Sequence, residues 1–356
     1  MKKIRMGVIG LGQIAQGVHL PGIARSDDLV LQAVCDIDEG VLQKIGEQYQ
    51  VPEQYRFKDY RQLIRCAEVD AVDICTPNDC HFDMAMDAAR AAKPYAVEKP
   101  VTMTAEQAQT LDTLTEKMKI KNMVCFSYRF KTAARYAREL VQTGMLGDIY
   151  HVDMQYFQAW GLPDAAAPLF WRYQKARTGS GALGDLGCHA LDLVRFVLGK
   201  EYTKVCADAD IYVTKRKLLD GSGEGTADVD DYFNFLARMQ DGVSASFQIT
   251  RFAFGRGNYQ RMEIYGSRGA LVYQLDASPG EDELELCVGQ PLGQLNHFTK
   301  VPLPQRFEAD QMQSFADRLL EKEDHTAATM EDGLANQKVL DALLHAQEKE
   351  KWVALT

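Results

Sequence analysis

Short apolar runs punctuate the first 125 residues at regular intervals: Ile4 to Ile9, Leu29 to Cys35, Ala71 to Cys75, Tyr95 to Val97 and Asn122 to Phe126. Runs of this length, rich in Val, Ile and Ala, read as strands buried on both faces. Stretches with helical spacing lie between them, at about 13–24, 38–48, 58–66, 79–92 and 104–118. Strand and helix in alternation predict a doubly wound parallel sheet with crossover helices.

After about residue 126 the rhythm changes. A helix near 130–142 is followed by a strand, a long helix around 182–198, and strand pairs joined by tight turns. Val229 to Met239 and Val243 to Thr250 flank Asp241-Gly242, and Arg261 to Tyr265 and Ala270 to Leu275 flank Gly266-Ser267-Arg268-Gly269, both hairpin signals. Helices near 307–321 and 331–347 close the chain. The pattern predicts an α/β protein of two domains, 1–126 and 127–356, the second an α+β domain whose open sheet is mainly antiparallel. Lys215-Arg216-Lys217, beside the Gly221 to Gly225 stretch, reads as a solvated turn.

Length agrees, since 356 residues are about twice an ordinary domain. Lys and Arg number 40 against 50 Asp and Glu, a net charge of -10. That balance argues against nucleic acid or an anionic membrane as partner. No apolar run reaches the length of a membrane span. Met1-Lys2-Lys3-Ile4-Arg5 resembles the start of a signal peptide, but Gln13 and Gln16 break the apolar stretch behind it. Eight cysteines without CxxC spacing, several inside apolar runs, read as packing residues in a reducing, cytoplasmic compartment.

Candidate chemistry begins at the end of the first strand, in Gly10-Leu11-Gly12-Gln13-Ile14-Ala15. Two glycines there allow a tight turn and bring backbone N–H groups up to a pyrophosphate at a helix N-terminus. Asp36, at the end of the second strand, suits the ribose hydroxyls and repels a 2'-phosphate, so NAD is expected in preference to NADP. The competing reading of Asp36 is a cap on the next helix. Thr76-Pro77-Asn78 and Glu98-Lys99-Pro100 mark two further strand ends, the edge at which doubly wound sheets bind ligands.

In the run from Gly179 to Asp192, helical spacing puts Asp185, His189 and Asp192 on one face and Leu186, Ala190, Leu193 and Val197 on another. Gly184 and Gly187, unfavourable in a helix, suggest close approach of a ligand or another backbone. A zinc site from His189, Asp185 and Cys188 is disfavoured because Cys188 points off that face, and no metal is expected.

Taken in order, the glycine fingerprint, Thr76-Pro77-Asn78, Glu98-Lys99-Pro100, Tyr128-Arg129-Phe130, Trp171-Arg172, Asp185-x-x-x-His189 and Gly266-Ser267-Arg268-Gly269 make the chain resemble the Gfo/Idh/MocA oxidoreductases. The resemblance implies a Rossmann domain over 1–126 and a substrate and oligomerisation domain over 127–356, the latter pairing as a homodimer or homotetramer through its sheet. It implies Lys99, Asp185 and His189 as the catalytic set. Cofactor contacts are expected at Gly10, Leu11, Gly12, Gln13, Ile14, Asp36, Thr76, Pro77, Asn78, His81, Glu98, Lys99, Trp171 and Arg172. Substrate contacts are expected at Lys99, Arg129, Trp160, Asp185 and His189.

An imidazole suits removal of a hydroxyl proton as hydride leaves carbon, so His189 is read as the general base, with Lys99 at the developing alkoxide. Relatives differ over which of the two moves the proton. The expected activity is an NAD(P)-dependent dehydrogenase of a sugar, polyol or glycoside. A glycoside 3-dehydrogenase or redox-assisted glycosidase retaining NAD is one alternative, and a silent dinucleotide and sugar sensor another.

Overall fold

The computed structural model describes residues 3–276, 282–289, 297–323 and 326–355; Met1 and Lys2, the head of the signal-like segment, lie outside them. The chain forms two compact units, one of Met1–Ser127 with Ala309–Gln337 and one of Tyr128–Glu308 with Lys338–Thr356. A single change near residue 126 is therefore followed by two more crossings, because segment 309–337 returns to the first unit. Polar side chains at the last strand there explain the return. Asn122 accepts from Met330 N at 2.7 Å and Arg318 donates to Asn122 O at 3.1 Å, while Val124 bridges to Ala328.

The first unit holds a six-stranded parallel sheet of β1 (Ile4–Ile9), β2 (Leu29–Cys35), β3 (Arg56–Phe57), β4 (Ala71–Ile74), β5 (Tyr95–Val97) and β6 (Asn122–Val124), in the order β3-β2-β1-β4-β5-β6. This is the doubly wound dinucleotide-binding order, with the strand direction of travel reversing beside β1. Five strands coincide with the apolar runs. The two-residue β3 is too short and too polar to show in the pattern.

In the second unit, β7 (Ile149–Phe157), β8 (Tyr202–Asp210), a small β9 (Lys215–Lys217) and β10 (Glu224–Thr226) pair, β11 (Tyr232–Met239), β12 (Ser244–Thr250), β13 (Tyr259–Gly266), β14 (Gly269–Leu275), β15 (Asp282–Val288), β16 (Thr299–Lys300) and β17 (Val353–Ala354) follow in turn. All but β9 and β10 form one nine-stranded sheet, β16-β15-β14-β13-β7-β12-β11-β8-β17. It is antiparallel except where β12 runs parallel to β7. The Gln240-Asp241-Gly242 turn joins β11 to β12 with Asp241 and Gly242 at positive φ, 57° and 77°, the conformation that asparagine, aspartate and glycine supply in tight hairpins.

Lys215-Arg216-Lys217 departs from the solvated turn expected of it. It is strand β9, and the Arg216 side chain is buried over the Tyr173 ring at 3.9 Å, donating to Gly161 O at 2.8 Å. A planar guanidinium satisfies carbonyls and stacks on an aromatic face at once. Among the described residues no helix is long and apolar enough to cross a membrane.

Candidate active site

In the first unit, β1 ends at Gly10, whose φ of 86° and whose closeness to β4 exclude a side chain: a Cβ there would sit 2.8 Å from Cys75 O. At Gly12 the same test meets nothing within 4 Å, which leaves room for a phosphate against the backbone. Leu11 N donates to Asp36 at 2.8 Å, and Asp38 N donates to its other oxygen at 2.9 Å. The helix Glu39–Gln48 is capped by Asp38, which accepts from Val41 N at 3.0 Å. The capping explanation for Asp36 thus falls away, and its carboxylate stays beside the glycine turn. These features fit a dinucleotide.

Gln13 and Ile14 open a helix whose next turn, Ala15–His19, is a π turn before Leu20–Arg25 resumes α geometry. Pro21 supplies the reason, since it lacks an N–H and its ring crowds the preceding turn. The turn delivers His19, fully buried, between two carboxylates: Nδ1 lies 2.8 Å from Asp73 on β4 and Nε2 lies 2.9 Å from Glu98 just past β5. The second Glu98 oxygen accepts Lys99 N at 3.2 Å. Burial by itself would lower the His19 pKa, but the Asp73 charge and hydrogen bond carry it well above its ordinary value. Burial would likewise raise Glu98, yet the His19 bond and charge hold it below the usual carboxylate range.

Thr76-Pro77-Asn78 leads into helix Asn78–Arg90. His81 on that helix is fully buried, with its ring nitrogens 2.8 Å from the carbonyls of Thr76 and Pro100. It therefore ties together the two strand-end loops that carry Thr76-Pro77-Asn78 and Glu98-Lys99-Pro100. Burial pushes its pKa down.

In the second unit, the glycine run meets protein rather than open space. A Cβ on Gly181 would stand 1.9 Å from Asp230 O. The Asp230 carboxylate accepts Gly181 N at 2.6 Å and Leu183 N at 2.8 Å. A π turn, Leu183–Gly187, follows and passes into helix Cys188–Leu198. Asp185 on that turn is clamped by Arg172 at 2.5 Å and by the buried Arg251 at 3.5 Å. Arg172 lies over Trp171 at 4.4 Å and Arg251 over Trp160 at 4.6 Å.

His189, 7% exposed, receives the Tyr128 ring edge-on at 4.7 Å. Tyr128 and Tyr156 share a 2.5 Å hydroxyl hydrogen bond, Asn258 Nδ2 donates to the Tyr128 hydroxyl at 2.9 Å, and Asn258 Oδ1 accepts from Tyr156 at 2.8 Å and from Gln158 Nε2 at 2.9 Å. Gln158 in turn accepts from Trp160 Nε1 at 2.6 Å. One polar chain thus runs from the ring beside His189 to Trp160.

Arg129 is placed differently from the substrate contact expected of it. Its guanidinium is bidentate to Asp192 at 2.6 and 2.8 Å, with both groups buried. The pair explains Asp192 as well, and separates it from Asp185, because the π turn shifts the helical phase on which the shared face was read.

His19, Asp73, Asp230 and Arg251 were not singled out in the sequence. Asp73 had a signal: a carboxylate inside the doubly buried strand Ala71–Ile74 demands a partner. Nothing local marks Arg251 or Asp230. Among the described residues His19, Asp73 and Cys125 bring ligand atoms within 4.8 Å of one another, but both His19 nitrogens already face carboxylates at hydrogen-bond distance.

A model of an oxidoreductase family with an NAD-binding Rossmann fold matches residues 4–126, and a GFO/IDH/MocA C-terminal domain model matches residues 134–272. Levoglucosan dehydrogenase of Pseudarthrobacter phenanthrenivorans is 34% identical over 241 residues, covering 64% of this chain and 60% of that protein. Inositol 2-dehydrogenase of Rhizobium meliloti is 26% identical over 99% of both chains. The solved levoglucosan dehydrogenase complex with NADH superposes over all of both chains with a TM-score of 0.89 at 26% identity.

Proposed function

The chain belongs to the Gfo/Idh/MocA family and is an NAD-dependent sugar oxidoreductase, and from that premise we propose that it oxidises a ring secondary hydroxyl of a sugar, polyol or glycoside. The observation that carries the reading is His189, an almost buried imidazole beside Tyr128, four residues past the clamped Asp185. NAD, when bound, supplies the hydride acceptor.

His189 Nε2 takes the hydroxyl proton as general base. The Lys99 ammonium stabilises the alkoxide that develops. Asp185 orients the acceptor end of the site through Arg172 and Trp171. Gly10 to Ile14 with Thr76, Pro77 and Asn78 receive the pyrophosphate side of the dinucleotide, and Asp36 its ribose. Trp160 borders the sugar. Arg129 acts only through the core pair with Asp192.

The protein works in the cytoplasm and assembles as a homodimer or homotetramer through the nine-stranded sheet, where Tyr150 and Leu236 stand exposed on its strands.

The reading is tested by following NADH absorbance with a panel of sugars, inositols and glycosides. Turnover confined to glycosides would select the glycoside 3-dehydrogenase, nucleotide surviving purification would select the retained-NAD form, and no turnover at all would select the sensor. His189→Asn should lower kcat by about 10²- to 10⁴-fold. Full activity in that variant would move the base to Lys99.

A further inference from the structure

We propose that His19 is a buried imidazolium that positions Lys99, by keeping Glu98 ionised and fixed directly beside it. The inference rests on the reading of Lys99 as the group that stabilises the alkoxide.

The geometry leaves little choice of protonation. A neutral imidazole has one N–H, so it can donate to one carboxylate while its other nitrogen points a lone pair at whatever it faces. Here the ring faces carboxylate oxygens at both ends, at 2.8 Å and 2.9 Å, with His19 and Asp73 fully buried and Glu98 6% exposed. A neutral ring would set a lone pair against an anion away from water, or need Glu98 as the acid, a form disfavoured because its pKa lies below the usual carboxylate range. With both nitrogens protonated, both contacts are charge-assisted hydrogen bonds. A proton therefore does what a metal ion would do among His19, Asp73 and Cys125.

The groups packed around the ring point the same way. Asp73 comes from β4, and Glu98, whose carboxylate is held in its ionised form, from the end of β5. Cys75 and Cys125, past β4 and β6, are buried thiols, and burial pushes Cys75 up to about 12 and Cys125 well above the ordinary thiol value, so both stay neutral and neither adds a third negative charge beside the ring. The Lys99 and His81 charges act on Glu98 as well, and with His19 they help to hold it ionised.

Glu98 is the link to the site. One of its oxygens is held by His19, and the other accepts the backbone N–H of Lys99. The imidazolium cancels the carboxylate charge on the buried side, so Lys99 feels a balanced neighbour. Without that balance an unopposed carboxylate favours the ammonium form more strongly.

Two measurements test the proposal. In ¹⁵N-histidine-labelled holoenzyme with NADH, one of the seven histidines should show both ring nitrogens protonated from pH 6 to 8.5, and that signal should vanish in His19→Gln. A neutral tautomer at His19 at pH 7.5 overturns the proposal whatever the substrate proves to be. In steady-state kinetics His19→Gln should lose about ten-fold or more in kcat with the KM for NAD within about two-fold, and the alkaline limb set by Lys99 should move up by about half a pH unit, while the acid limb set by His189 stays. A variant that only melts earlier, with the wild-type profile, makes His19 structural and sinks the idea. If His19→Gln does not fold, the wild-type spectrum still decides. Loss of activity in Lys99→Ala tests the underlying reading separately.

Discussion

The helix that begins at Gln13 and the helix that begins at Ala182 start alike: each follows a glycine turn, each passes through a five-residue π turn, and each delivers a charged side chain clamped by two of opposite sign. In the first unit a cation, His19, lies between Asp73 and Glu98. In the second an anion, Asp185, lies between Arg172 and Arg251. The glycines differ in the same measured way. Gly12 faces nothing within 4 Å, whereas Gly181 has the Asp230 carbonyl where its Cβ would be. One helix terminus is thus open to an anion carried by a ligand, and the other is already filled by the Asp230 carboxylate. A glycine run into a helix does not by itself announce phosphate binding.

The two clamps should break unequally, and this is the largest effect expected. Asp185→Ala leaves two arginines facing each other, one of them buried, and neither can shed its proton. Its cost should be about 3–5 kcal/mol in urea unfolding. Asp73→Ala leaves His19 with Glu98 still bonded, and an imidazole can also discharge, so about 1–3 kcal/mol is expected. Equal losses would mean that Arg251 finds another partner or that His19 is not charged.

The glycines come next. Gly181→Ala drives a methyl into the Asp230 backbone and should cost about 1–3 kcal/mol or more. Gly12→Ala should leave stability within about 0.5 kcal/mol while weakening NAD binding, measured by quenching of protein fluorescence. Loss of stability in Gly12→Ala, or an untouched NAD affinity, would erase the distinction between the two turns.

How far the sequence carries this comparison depends on the period of each element. Strands β1, β2 and β5 stand at the residues where the apolar runs begin and end, because a strand buried on both faces has nothing but apolar positions to show. The nucleotide fingerprint was legible for the related reason that a tight turn admits few residues. The charge clamps were not. Asp185 and Arg251 are 66 residues apart in sequence, and only the path of the second unit's sheet pairs them. Arg129 looked like a ligand contact for the same cause, since its partner Asp192 lies 63 residues away. The π turns escaped as well, and with them the phase of the Asp185 face. Pro21 alone gave warning of the first.

The sharpest test of His19 is the dependence of stability on pH. The folded pKa of His19 is raised above its unfolded value near 6.5. Its stabilisation is therefore complete below about pH 6.5 and is lost as pH rises toward the folded pKa, at about 1.4 kcal/mol per unit, because the native state keeps a proton that the unfolded chain has released. His81 has the opposite sign: its folded pKa is lowered, so its contribution is present above about pH 6.5 and falls away below it. The Arg172–Asp185–Arg251 clamp holds nothing that titrates between pH 6 and 9. Unfolding free energies across that range should thus fall on the alkaline side in the wild type and flatten in His19→Gln, with Asp185→Asn shifting the whole curve down without changing its slope. An alkaline slope that survives His19→Gln would show that the proton belongs to another group, and the likeness between the two clamps would then be one of geometry alone.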